Sequence, residues 1–220
     1  MNPLLTSVAA LSVAFATSFS AQAQELSGNA AAGGKKAEMC IGCHGIPGYK
    51  ATFPEVYRVP MLNGQNAKYI VTALGEYKKG ARRNPTMRGI AASLTDQDMA
   101  DLAAFYADHG APFPVAPAQP RAADAKVAEL ITKGACASCH GENFSKPIDP
   151  SYPKIAGQPA DYLYVALKSY KNDTHATWGR ENPVMSGIVG QFSLPELKAI
   201  SNYLSKVSTE LKTVPEARFR

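Results

Sequence analysis

Two short cysteine motifs are the residues of this chain best suited to chemistry. EMCIGCHGIPG spans residues 38–48, and GACASCHGENF spans residues 134–144. Each motif places two cysteines three apart with a histidine directly after them, and together they contain all four cysteines. In this pattern the thiols add to the vinyl groups of a haem and the adjacent imidazole binds the iron. We therefore predict two covalently attached haem c groups, held by Cys40, Cys43 and His44 and by Cys136, Cys139 and His140.

Other uses of paired cysteines fit the pattern less well. Zinc sites usually keep two such pairs about 15–20 residues apart, whereas 92 residues separate Cys43 from Cys136. A thioredoxin-like motif needs a βαβ context, which the sequence pattern does not provide. Structural disulfides would not require a histidine after each pair. Haem attachment accounts for both histidines and is therefore favoured.

The second axial ligand decides whether a haem iron can bind substrates or only exchanges electrons. Such a ligand should lie far along the chain and occur in both halves. Met87 and Met185 meet both conditions, 47 and 49 residues after the first cysteines of their motifs. Each follows an Asn-Pro pair that is predicted to end the preceding helix, so the thioether should lie on a loop. His109 and His175 have no equivalent in the other half and are predicted not to bind iron.

The surroundings of the two motifs repeat in the same order, which indicates a tandem duplication. GQNAKYIVTALGEYKK at 64–79 aligns with GQPADYLYVALKSYKN at 157–172, with eight identities in sixteen positions. NPTMRGI at 84–90 likewise aligns with NPVMSGI at 182–188. The second half carries five extra residues around THATW, and the first half has a longer loop at 46–60.

Helical patterns surround each motif, and no alternating run predicts a sheet. One helix is predicted to end at each cysteine motif, and a middle helix carries tyrosines on one face. The last helices begin at capping boxes, Thr95 with Asp98 and Ser193 with Glu196. Three short helices bury little apolar surface, so each half needs another group at its centre. We predict an all-α fold of two tandem domains, each with a few helices around its haem.

The first residues of the sequence predict export, and a Pro-rich segment in the middle predicts a division into two domains. Residues 1–23 combine an apolar stretch with Ala21-Gln22-Ala23, as in a secretory signal peptide cleaved near Ala23. Serines and threonines interrupt this stretch, which is also short for a membrane span. The Pro-rich segment 111–121 predicts an extended linker. The domains are therefore predicted at residues 24–110 and 122–220.

Charge gives a hypothesis about partners. The net charge of +5 is spread over both halves with acids interleaved, and an exported protein rarely meets nucleic acid, so nucleic-acid binding is not predicted. One local cluster carries no acid and lies on both sides of Met87. We hypothesise that this cluster steers acidic redox partners to a docking face made of Lys78, Lys79, Arg82, Arg83 and Arg88. The alternative is a solvated face with one arginine paired to a haem propionate.

The repeated Cys-x-x-Cys-His-Gly motif, the Gly-Gln before the middle helix and the Met-containing segment before the last helix resemble the dihaem cytochromes c of the cytochrome c4 family. The resemblance covers about residues 28 to 207. It implies two class I cytochrome c domains, paired as pseudo-twofold lobes with their haem edges near each other. It also implies a periplasmic carrier, diffusible or loosely membrane-associated, between respiratory donors and a terminal oxidase.

Two other functions remain as alternatives. One is the electron-accepting cytochrome subunit of a dehydrogenase, such as a flavocytochrome sulfide dehydrogenase. The other is a haem enzyme, either a dihaem peroxidase or a thiosulfate dehydrogenase. An enzyme is disfavoured because both halves offer a methionine and no fifth cysteine remains as an unusual ligand. His/Met ligation instead predicts electron transfer at positive potential, because the soft thioether favours ferrous iron.

Overall fold

The computed structural model describes residues 27–108, 122–172 and 175–215. The predicted signal peptide, the predicted linker and His109 therefore lie outside the described residues. Within the described ranges, no helix is long and apolar enough to cross a membrane.

Short helices account for most of the regular structure in the described ranges. Those before residue 109 are α1 Ala30–Lys36, α2 Glu38–His44, α3 Ala67–Lys79, α4 Pro85–Ala92 and α5 Asp96–Asp108. Those after residue 121 are α6 Ala125–Lys133, α7 Cys136–His140, α8 Ala160–Lys171, α9 Pro183–Gly190 and α10 Leu194–Leu204. The mostly helical fold is confirmed. Each half is nevertheless divided more finely than the three predicted helices, because each cysteine motif and each Asn-Pro segment forms a short helix of its own.

Both predicted capping boxes are present at the last helices. The backbone N–H of Asp98 donates to Thr95 Oγ1 over 3.1 Å, and the backbone N–H of Thr95 donates to Asp98 Oδ2 over 2.9 Å. The backbone N–H of Ser193 likewise donates to Glu196 Oε2 over 2.7 Å. These bonds use backbone donors at the start of α5 and α10 that have no partner within the helix.

Each half packs around its own apolar core. Ile70 and Leu102 lie in a buried cluster from the first half, formed largely by α2, α3 and α5. Leu163 and Leu197 lie in a separate cluster from the second half. The two clusters share no residue, so we name residues 27–108 the N-lobe and the described residues from 122 onward the C-lobe.

Among the described residues, two short β ladders occur where no sheet was predicted. The longer loop of the first half contains β1 Lys50–Ala51, which pairs antiparallel with β2 Tyr57–Arg58. The second ladder joins the lobes, because β3 Arg82–Arg83 pairs antiparallel with β4 Gly179–Arg180. Arg82 lies opposite Arg180 in this ladder. Each of these arginines stands two residues before the Asn-Pro pair of its own half, so equivalent residues meet at a pseudo-twofold axis.

The longer loop of the N-lobe also reaches the C-lobe. Arg58 Nε lies 3.0 Å from Asp161 Oδ2, and Lys168 Nζ lies 2.6 Å from Glu55 Oε2. Arg58 and Glu55 both belong to the segment in which the two halves differ in length. The extra residues therefore contribute to the contact between the lobes.

The crossing of α1 and α5 gives a stability prediction. An ideal Cβ on Gly33 would lie 2.0 Å from the backbone oxygen of Asp101, so any side chain would force the helices apart. We expect Gly33→Ala to lower the free energy of unfolding of the N-lobe by about 2 kcal/mol or more, as measured by urea titration with circular dichroism. Gly75→Ala in α3 is the matched control, since its Cβ would meet nothing within 4 Å. This control should be neutral or stabilising by up to about 1 kcal/mol. Equal stability of the two variants would contradict the close approach.

Candidate haem centres

The four cysteines lie on the two motif helices, Cys40 and Cys43 on α2 and Cys136 and Cys139 on α7. In each motif the two cysteines are three residues apart, which puts both sulfurs on one face of α2 or α7. Burial raises the pKa of the Cys40 and Cys136 thiols above the usual range. No disulfide joins these cysteines, and the described residues contain no group of three or more His, Cys, Asp or Glu side chains placed to hold a metal ion.

Each motif histidine forms the same hydrogen bond with one ring nitrogen. His44 Nδ1 lies 2.8 Å from the carbonyl oxygen of Pro60, and His140 Nδ1 lies 2.9 Å from that of Pro153. Burial lowers the pKa of both imidazoles more than these bonds raise it, which favours the neutral ring. A neutral ring that donates from Nδ1–H keeps its Nε2 lone pair for a metal. Both histidines are therefore prepared to bind iron through Nε2.

The two prolines are functional residues that no sequence motif identified. They lie 16 and 13 residues after their histidines, so the spacing differs between the halves. The signal in the sequence is a proline that precedes the Gly-Gln pair by a few residues in both halves. Only the folded loop brings its carbonyl oxygen to the imidazole.

The predicted methionine ligands occupy equivalent positions, but not on loops. Met87 lies in α4 and Met185 in α9, because the Asn-Pro pair begins each helix instead of ending the previous one. The Oδ1 atoms of Asn84 and Asn182 accept from the backbone N–H of Met87 and Met185, both over 3.0 Å. Proline suits the first turn of a helix, where its missing N–H would be unpaired anyway. The loop prediction was therefore wrong, although the repetition of the methionine environment is confirmed.

The structure also gives partial information on which site residues come together. Cys136 and Met185 both pack against the same apolar cluster of the C-lobe. In the N-lobe, Cys40 packs against the corresponding cluster. His175 is exposed, and its ring stands 5.6 Å from that of Trp178.

The predicted docking face is only partly a surface. Arg82 is 4% exposed and faces the C-lobe across the ladder, and Arg83 forms an ion pair with Glu181 of the C-lobe. These two arginines are taken up by the contact between lobes, because β3 lies at the pseudo-twofold axis. Lys78, Lys79 and Arg88 remain exposed. The docking prediction was therefore wrong for Arg82 and Arg83.

Arg82 and Arg180 instead form a cluster with tyrosines at the axis. Arg82 Nη1 donates to Tyr69 Oη over 3.1 Å, and Arg82 Nη2 donates to Tyr162 Oη over 3.2 Å. Arg180 Nη2 reaches the same Tyr162 oxygen over 3.3 Å. Although burial raises the pKa of Tyr162, the two guanidinium groups lower it to about 8 overall. The guanidinium groups of Arg82 and Arg180 are thus buried close together, and tyrosine hydroxyl oxygens accept their hydrogen bonds.

This cluster has donors that suit a haem. Arg82 Nε, together with Nε and Nη2 of Arg83, is buried without a hydrogen-bond partner. Buried donors normally have acceptors, and guanidinium groups pair best with carboxylates. Each haem c carries two propionates, so the unpaired donors and the excess positive charge match the group that the cysteine motifs predict.

Two helical lobes, each with one Cys-x-x-Cys-His helix whose imidazole donates to a proline carbonyl, define a dihaem c-type cytochrome. Comparison with known proteins agrees. The family model described as Cytochrome c matches residues 30–108 and 125–208. The chain belongs to the cytochrome c family and, within it, to the dihaem cytochromes of the cytochrome c4 type.

Similar proteins cover most of the chain. Cytochrome c4 of Pseudomonas aeruginosa is 31% identical over 183 residues, which are 80% of this chain and 88% of that protein. Cytochrome c4 of Thiocapsa roseopersicina is 33% identical over 202 residues, 82% of this chain and 94% of the relative. A thiosulfate dehydrogenase electron acceptor of Stutzerimonas stutzeri is 32% identical over 175 residues, 76% and 78% of the two chains.

A solved structure supports the same fold. Reduced recombinant cytochrome c4 from Pseudomonas stutzeri superposes with a TM-score of 0.61 at 24% identity, covering 82% of this chain and 100% of that one. Two tandem cytochrome c domains are therefore confirmed. The chain carries two covalently bound haem c groups and is an electron carrier rather than an enzyme, as are the members of this family.

Proposed function

We propose that this protein is a periplasmic electron carrier whose haems are ligated by His44 with Met87 and by His140 with Met185. The main support for this proposal is that both lobes repeat one arrangement of histidine and methionine. Each histidine donates from Nδ1 to a proline carbonyl, and each methionine follows an Asn-Pro helix start. Two such ligands would close both faces of the iron and would leave electron exchange as its chemistry.

Within this proposal each haem, when bound, accepts and releases one electron. The chain binds and orients the haem. The cysteine thiols would anchor the ring. The proline carbonyls accept from Nδ1 of each imidazole, which would leave Nε2 available to bind the iron. The unpaired donors of Arg82 and Arg83 would hold propionates.

We propose respiratory donors and a terminal oxidase as the partners. A direct test begins with oxidised protein and membranes that contain the bacterial quinol oxidising complex. Reduction of the haem absorbance within the time of turnover, followed by reoxidation through a terminal oxidase in air, would support the carrier role. A protein that neither accepts electrons from these membranes nor returns them would overturn it. N-terminal sequencing of the periplasmic fraction tests export, with a mature chain beginning near Gln24 as the expected result.

A second candidate function is the electron acceptor of a dehydrogenase. It is favoured by the relative from Stutzerimonas stutzeri, which is named for accepting electrons from thiosulfate dehydrogenase. Purified thiosulfate dehydrogenase, thiosulfate and the oxidised protein would be mixed and the haem bands followed. Rapid reduction that requires the dehydrogenase, together with copurification in a fixed ratio, would favour this role over a general carrier.

The exposed part of the basic cluster gives a prediction about docking. We expect Lys79→Glu combined with Arg88→Glu to slow association with an acidic partner by about tenfold at low salt and to flatten its salt dependence. The matched control is Lys198→Glu with Lys206→Glu, which changes the net charge equally on the C-lobe surface. Stopped-flow rates at several ionic strengths measure the difference. Equal slowing by both pairs would assign the effect to net charge and remove the docking face.

A further inference from the structure

Two buried glutamines connect the lobes in the same way. Gln65 and Gln158 belong to the duplicated Gly-Gln pairs, and each is 3% exposed. Gln158 Oε1 accepts from the backbone N–H of Met61 over 3.0 Å, and its Nε2 donates to the Met61 carbonyl over 2.8 Å. Gln65 makes the equivalent pair of bonds with Lys154, over 2.9 and 3.0 Å. Each carboxamide thus binds the backbone of one residue in the opposite lobe.

The residues that these glutamines bind each follow a proline whose carbonyl contacts a motif histidine. Met61 directly follows Pro60, and Lys154 directly follows Pro153. The carbonyl of Pro60 and the N–H of Met61 therefore belong to a single peptide group. Its oxygen accepts from His44 Nδ1 in the N-lobe, and its N–H donates to Gln158 of the C-lobe. One peptide group thus links the imidazole of one lobe to a side chain of the other.

The C-lobe repeats this chain of bonds in the opposite direction. His140 Nδ1 contacts the Pro153 carbonyl, and the N–H of the same peptide group donates to Gln65 of the N-lobe. The connection is therefore crosswise. The glutamine of each lobe is joined to the histidine of the other.

The physical consequence follows from the polarity of the peptide group. A hydrogen bond at the N–H draws electron density toward the carbonyl oxygen, and bonds in such a chain strengthen one another by roughly 10–30%. A stronger acceptor at Nδ1–H makes the imidazole a more basic ligand and fixes its ring orientation. A more basic ligand stabilises ferric iron over ferrous iron.

We propose that Gln158 positions and tunes the axial histidine of the N-lobe haem, and that Gln65 does the same for the C-lobe haem. The inference rests on the proposed ligation by His44 and His140. It gives each lobe control over the reduction potential of the other, so that the potentials depend on how the lobes are held together. Both glutamines are positioning residues, because they act on iron through a peptide group and an imidazole.

The test replaces each glutamine by methionine. Methionine has a similar volume but lacks the carboxamide that makes both hydrogen bonds. At a fixed ambient potential, Gln158→Met should raise the ferrous-to-ferric ratio of the N-lobe haem by about twofold to threefold. The C-lobe haem should change less. Gln65→Met should give the reverse pattern. Nuclear magnetic resonance of the haem methyl groups during a redox titration reports the two haems separately, and Met87→Ala assigns the N-lobe signals.

A control separates this effect from a loosened contact between lobes. Glu55→Gln removes the ion pair with Lys168 but contacts neither proline peptide. It should leave both ratios close to those of the unsubstituted protein. The Nδ1 proton of His44 should also exchange faster with solvent in Gln158→Met than in Glu55→Gln.

Three outcomes would overturn the inference, and they differ from failure of the ligation itself. Equal shifts at both haems, a larger shift at the haem of the substituted lobe, or no shift at all would each rule out crosswise tuning. The unsubstituted reduced protein is measured first. If its His44 and His140 signals lacked the displacement that the haem ring current causes in axial ligands, the ligation would be refuted instead.

Discussion

Replacement of Met87 by alanine is expected to open one face of the N-lobe iron while leaving its covalent attachment intact. Carbon monoxide should then bind to about half of the ferrous haem in the protein. The potential of this haem should fall by a few tenths of a volt, within the roughly 0.8 V that axial ligands span, because ferrous iron loses its soft thioether. Optical titration with and without carbon monoxide measures both changes.

Controls for this prediction come from the other methionines. Met185→Ala should produce the same changes at the C-lobe haem, because both residues follow an equivalent Asn-Pro helix start. Met61→Leu should leave both haems closed, because the described contacts of Met61 to Gln158 use its backbone. If Met87→Ala did not bind carbon monoxide whereas Met61→Leu did, the ligand assignment in the N-lobe would have to be replaced.

The second large effect is expected from removing one haem. Combined replacement of Cys136 and Cys139 by serine should give a chain with one haem, measured by the pyridine haemochrome assay. The C-lobe should also lose its cooperative unfolding transition. Its helices are short, and a lobe of this size buries too little apolar surface to be stable without a group at its centre. Calorimetry of the purified variant would follow the remaining N-lobe transition.

The matched variant carries serine at Cys40 and Cys43. It should also hold one haem, with the C-lobe transition now retained. Loss of the ladder between the lobes would also lower the stability of the lobe that keeps its haem. The two variants are therefore compared to separate the stability of each lobe's own core from the stability that the contact between lobes adds. A doubly substituted chain that still bound two haems covalently would contradict the attachment assigned to these cysteines.

Much of the local structure could be predicted because its cause is local. The cysteine motifs specify attachment by the types and spacing of a few adjacent residues. Thr95 and Ser193 begin helices because their capping bonds span three residues. The duplication could be recognised because identical residues recur in one order. These features do not depend on how distant parts of the chain pack.

Features that depend on packing between the halves could not be predicted. Arg82 was assigned to a surface because its neighbours in the sequence are basic, but the pseudo-twofold axis places it opposite Arg180. A duplication identifies equivalent residues without indicating which of them meet. The contacts of His44 and His140 with proline carbonyls likewise depend on loops of unequal length.

The Asn-Pro pair was misinterpreted for a different reason. Proline disfavours helix in the residue before it, which predicted the end of a helix. The same residue pair also begins helices, with asparagine as the cap and proline in the first turn. Here the backbone N–H of Met87 donates to Asn84 Oδ1 over 3.0 Å, and the second function applies. The Asn-Pro pair can therefore end one helix or begin another, and here the residues after it form a helix.

The central claim is that both irons are closed by histidine and methionine, and one measurement tests it most directly. Spectra of the purified mature protein would be recorded oxidised, reduced, and reduced with carbon monoxide, with haem counted per chain. We predict two haems per chain and no carbon monoxide binding at neutral pH, because two axial ligands would leave neither iron an open position. Binding of carbon monoxide by either haem of the unsubstituted protein would contradict the account.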